Sequence, residues 1–115
     1  MNLLCEFKVE LSSENNVKDV CQDVLYAKIE ENIILRDVLG TTNTVESAII
    51  TEVSVPSAKM TLLYSPILKN ILKLLKIQTK CYEEGKFDNK MTEIWEAIKK
   101  EGDSFINSLQ NKLGK

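Results

Sequence analysis

Histidine is absent from this chain of 115 residues. Its absence removes Ser-His and Cys-His nucleophilic pairs, imidazole general bases and imidazole-held metals, and with them most common hydrolase mechanisms. Glycine is scarce as well, with Gly40, Gly85, Gly102 and Gly114 only. None of the four stands in a G-x-G-x-x-G or G-x-x-x-x-G-K pattern, so the usual nucleotide cradles are not written here and no cofactor is implied. The three cysteines, Cys5, Cys21 and Cys81, are odd in number and lack C-x-x-C spacing. A disulfide framework and a zinc ribbon are both excluded, and buried reduced thiols are the plain expectation.

Long apolar runs are missing too. The richest stretch, 67–77, is interrupted by Lys69, Asn70, Lys73 and Lys76, far from the roughly 20 apolar residues that a spanning helix needs. The opening Met1-Asn2-Leu3-Leu4-Cys5-Glu6 has neither the basic nor the apolar region of a secretory signal, which predicts a cytoplasmic address with no membrane contact.

What remains is ordinary globular material, 43% hydrophobic and 28% charged, of a size for one domain. Leu3, Cys5, Phe7, Val9 and Leu11 alternate with Glu6, Lys8 and Glu10, the period of two of a half-buried strand. Apolar runs at 20–29 and 33–39 flank Glu30-Glu31-Asn32 and read as a hairpin. Gly40-Thr41-Thr42-Asn43 is a turn, 44–55 one long β-branched strand, and Pro56-Ser57-Ala58 a break before a strand at 59–64. Five short strands suggest an antiparallel barrel or curled sheet, because closure hides edges.

Ser65-Pro66 has the form of an N-cap followed by proline at the first helical position. Leu68, Ile71, Leu72 and Leu75 then repeat at helical spacing up to Gly85, predicting a helix over 66–84. Asp88 can cap a second helix whose apolar face holds Met91, Ile94, Trp95 and Ile98 and continues through Phe105, Leu109 and Leu113. Gly102 could stop this helix, yet the spacing survives across it, which favours one long helix with a weakened turn at Gly102 over a break there; Trp95 is expected to be buried. The expected class is therefore α+β: a small five-stranded antiparallel barrel or curled sheet in residues 1–64, then a C-terminal helical hairpin in 65–115, forming one structural domain.

Charge divides along the same boundary. Five basic and ten acidic residues precede Ser65, while ten lysines and seven acids follow, so the halves carry −5 and +3. Halves of opposite sign attract one another within a chain or between copies.

Few candidate sites arise. Lys69, Lys73, Lys76 and Lys80 share one face of the first helix, which reads as a solvated face or as a binding surface for a partner or a nucleic-acid backbone. With Arg36 the sole arginine, such binding would read little base sequence. Cys5 is either a core thiol in phase with Leu3 and Phe7 or a soft-metal ligand at a subunit interface. Asp37, flanked by apolar residues in a strand, suits a turn or ladder role, since acid–base chemistry usually needs a carboxylate pair.

The front half also carries a resemblance. The cysteine in the first strand, the run Ile34-Leu35-Arg36-Asp37-Val38-Leu39-Gly40, then Thr44-Val45-Glu46-Ser47-Ala48-Ile49 and Met60-Thr61-Leu62-Leu63 resemble the CooT-type small β-proteins over residues 3–63. Those are dimeric nickel-binding proteins of carbon monoxide dehydrogenase maturation. The resemblance implies a small β fold, dimerisation and, at Cys5, a nickel-type metal site. In that family the cysteine directly follows the initiator methionine, whereas Cys5 follows Leu4, and the helices after Ser65 lie outside the family pattern. The sequence thus leads to a non-enzymatic interaction or accessory protein, a homo-oligomer or a subunit of an assembly, with nucleic-acid binding at the lysine face and metal binding at Cys5 as alternatives.

Overall fold

The computed structural model describes residues 6–114. Strand β1 (Phe7–Ser13) keeps the expected phase, with Val9 and Leu11 turned into the core. Its hairpin partner β2 (Asn16–Ile29) begins earlier than the apolar pattern implied, because backbone pairing to β1 carries its polar first residues. Midway along β2, Asp23 adopts a positive φ of 56° beside a register shift. The strand bends there, and its second half pairs with β3 (Ile33–Asp37) across the expected turn. Asp37 closes β3 in a structural role: its Oδ1 accepts from the backbone N–H of Leu39 at 3.0 Å and of Thr41 at 2.9 Å, and Gly40 supplies the φ of +83° that the turn needs.

The single strand expected over 44–55 is two, β4 (Thr42–Val45) and β5 (Ala48–Ser54), and β6 (Lys59–Tyr64) follows. The sheet therefore has six strands, in the order β4-β3-β2-β1-β6-β5. It is also mixed and not purely antiparallel, since β1 and β6 run parallel at its centre. Alternation within a strand reports which face is buried and carries nothing about the neighbour's direction, which is why the parallel pair was not legible. Strands β4 and β5 are the two edges of the sheet, yet only Glu46 and Ser47 separate them. So short a link requires the edges to come together at that end, and the sheet curls into a half-barrel around Val9, Val24, Ile33, Leu35 and Leu62.

Helices α1 (Leu68–Glu84) and α2 (Lys90–Leu113) form the hairpin, with α2 continuous through Gly102. Gly85 caps α1 at a φ of 69°, its N–H donating to the Cys81 carbonyl at 2.8 Å. Leu72 and Ile98 are the buried residues of the two helices, and between the helices Asn70 Nδ2 donates to Glu101 Oε1 and Cys81 Sγ meets Met91 Sδ at 3.7 Å.

The start of α1 departs from expectation. Ser65 does not cap it: Ile67 holds the cap position without a side-chain bond, and the buried Ser65 Oγ has no partner among the described residues. The capping hydroxyl comes instead from Ser47. Its Oγ accepts from the Lys69 N–H at 3.1 Å and donates to the Ser65 carbonyl at 2.6 Å, while the Ser47 carbonyl accepts from the Ser65 N–H at 3.0 Å. These bonds hold Ser47 at a φ of 58°, a left-handed setting that costs a non-glycine residue about 1–2 kcal/mol.

Replacing Ser47 by alanine strands the Lys69 N–H and should cost about 1–3 kcal/mol in urea unfolding. Ser65→Ala removes a hydroxyl that has no partner and should change stability by less than about 0.5 kcal/mol. The opposite ranking would restore Ser65 as the cap.

Candidate functional site

The lysine face of α1 borders a groove between the helical hairpin and the β2–β3 turn. Leu72, Leu75, Ile29 and Ile94 provide its apolar lining. Its rim holds Lys73, Lys76, Lys80 and Lys90 against Glu30, Glu31, Glu83, Glu84, Asp88 and Glu93. Four ammonium groups face six carboxylates, so the rim carries a net −2.

All four lysines of the α1 face are exposed, and their surroundings differ. Lys76 Nζ reaches Glu30 at 3.7 Å and Glu31 at 4.0 Å on the hairpin tip, and Lys69 Nζ lies 4.0 Å from Glu46 in the β4–β5 link. Lys73 and Lys80 have no ion pair among the described residues. The stripe that spacing defines is thereby divided: Lys73, Lys76 and Lys80 border the groove, and Lys69 stands apart beside the Ser47 junction. The acids Glu30 and Glu31 were visible as turn residues, but nothing in a turn signal says that it will meet a helix starting 37 residues later.

The Glu30 carboxyl sits below the ordinary carboxylate range, first because Lys28 donates to it at 2.6 Å and then through the charges of Lys28 and Lys76. Lys28 is correspondingly raised by its bond to Glu30. A depressed carboxyl contributes stability above its unfolded value and loses it as pH falls through the folded one, while the raised lysine loses its share only as pH climbs through its folded value.

One further expectation is corrected here. Trp95, expected to be buried, is 50% exposed. It lies beside the covered face of α2, about 40–100° around the helix from Met91, Ile94 and Ile98, which are buried or half-buried where the indole stands half out. Phe7 is half-buried at the margin of the core and not fully enclosed. Cys5, the candidate metal ligand, lies outside the described residues. No cluster of three His, Cys, Asp or Glu side chains able to hold a metal ion occurs among the described residues. The Cys21 thiol is pushed up, mainly by burial and secondarily by the Asp37 carboxylate, which disfavours the reactive thiolate. No helix among the described residues is long and apolar enough to cross a membrane.

Reversing Lys73 and Lys80 to glutamate should leave stability within about 0.5 kcal/mol, as surface changes usually do. Lys76→Glu, which confronts Glu30 and Glu31, should destabilise more than either, and molar salt should shrink the difference, as read from urea midpoints. The stability gap between wild type and Glu30→Gln should close as pH falls into the acid range; a gap that widens there would contradict the Lys28–Glu30 pairing. Neither a family model nor a curated protein matches the chain.

Proposed function

We propose that this chain is a non-enzymatic interaction protein that works by self-association. The observation that supports this most is the bare apolar surface of the helical hairpin, where Tyr82, Phe87, Trp95, Ile106 and Leu113 are all half or more exposed. Amphipathic helices normally spend such residues on a core. Here the hairpin touches the sheet sparingly, through the Ser47 junction and the exposed pairs of Lys69, Lys76 and Lys112. The resulting molecule is open, with a radius of gyration of 17.0 Å against about 13 Å for a compact domain of this length.

A second subunit is the simplest cover for that surface, and the charges of −5 and +3 on the two halves favour copies of one chain over like-charged strangers. A nucleic-acid backbone is the weaker reading. The groove beside the lysine face has more carboxylates than ammonium groups, which repels phosphate. Sedimentation velocity over a wide concentration range tests the proposal. A mass that rises above the monomer with concentration is expected, and a monomer at millimolar concentration overturns it.

A further inference from the structure

Helix α2 is seven residues longer than α1. With Asn70 bonded to Glu101 and Cys81 against Met91, α1 begins beside residue 103, so residues 104–113 extend past it for about 15 Å at about 1.5 Å per residue. Among the described residues, the one side-chain pairing of that extension is Lys112 to Glu14, at 3.3 Å.

Along α2 the exposed apolar residues form one line. At about 100° per residue, Trp95, Gly102, Ile106 and Leu113 lie within roughly 20° of a common direction. Ile106 is 58% and Leu113 69% exposed. Gly102 leaves a gap in this line, because a Cβ built there meets nothing within 4 Å.

The spacing is symmetric. Trp95 and Leu113 stand nine residues on either side of position 104, and Gly102 and Ile106 two residues on either side. A two-fold interface requires that one patch complement itself, and this one does when two copies run antiparallel. From these placements we propose that α2 packs antiparallel on α2 of a second copy, each Ile106 filling the gap over the other's Gly102 and each Trp95 lying on the other's Leu113. The inference rests on the self-association reading and names its surface.

Charge selects the same direction. Residues 90–103 hold three lysines and four acids, and residues 104–114 hold Lys112 alone, so antiparallel contact sets −1 against +1 where parallel contact would match like with like. Opposed helix dipoles add to that preference. Lys99 and Leu109 flank the line and can lay an aliphatic stem and an isobutyl group across the seam. With roughly half of each apolar side chain bare, the stripe offers on the order of 400 Å2 per copy. The pair lies somewhat below the ~1,200 Å2 at which stable interfaces begin, so the contact responds to dilution.

Sedimentation equilibrium and Trp95 emission of the full chain across a dilution series test the pairing. The wild type should be dimeric when concentrated, with emission shifting red as it dissociates. Gly102→Leu, whose Cβ meets nothing within 4 Å and which improves helix propensity, should weaken the dimer at least about tenfold by filling the gap. Ile106→Glu should do the same, and helical content by circular dichroism should be unchanged in both. Adding Ile106→Ala to Gly102→Leu should recover much of the loss, because the space is exchanged between the two positions. A dimer indifferent to Gly102→Leu and Ile106→Glu overturns this surface while self-association stands. A monomer at millimolar concentration overturns both.

Discussion

Two residues, Glu46 and Ser47, carry the chain from one edge of a six-stranded sheet to the other. Everything downstream hangs on that passage. A link so short draws the edges together, and Ser47 at its end is the one buried polar residue of the described chain. Buried polar groups must be satisfied, and this one is used three times: its carbonyl and hydroxyl hold Ser65, and its hydroxyl also caps α1. The left-handed backbone at Ser47 persists because those bonds over-determine it. Curl of the sheet and direction of the helical hairpin therefore share a single anchor.

The consequence is an unusual division of labour. The half-barrel has its own closed core, built from Val9, Val24, Ile33, Leu35 and Leu62. The helices bury only Leu72 and Ile98 below a tenth of their surface, because the hairpin meets the sheet near one point and is steadied elsewhere by exposed ion pairs. Such pairs contribute little and are screened by salt. A hairpin with so little intramolecular cover either pays for bare apolar surface or finds another surface to sit on, and the symmetric line on α2 is suited to a second copy.

Opposite charge on the halves shapes the groove. Within the chain it aligns Lys69 and Lys76 with Glu46, Glu30 and Glu31. These contacts occupy part of the lysine face and convert what spacing presents as a uniform positive stripe into a mixed groove rim. The field that a phosphate would meet there is set by tertiary neighbours, and it is not positive.

The class and much of the element order were legible in the residues. Period-two alternation placed Val9 and Leu11 in the core, Glu30-Glu31-Asn32 and Pro56-Ser57-Ala58 marked turns, Gly85 ended α1, and three-and-four spacing carried α2 through Gly102. These are local features, governed by steric and hydrogen-bonding preferences within a few residues. Where the order of strands, the parallel β1–β6 pair, the cut at Ser47 and the fate of Trp95 were concerned, local pattern was silent or misleading. Ser65 looked like a cap because its neighbours suit one, yet a hydroxyl 18 residues earlier reached the helix first. An apolar helical face predicts that something covers it, while which side faces the chain's own core is decided by how elements distant in sequence meet. Composition and periodicity thus determined what this chain is built from, and only the meeting of its two halves decided which of its surfaces remain uncovered.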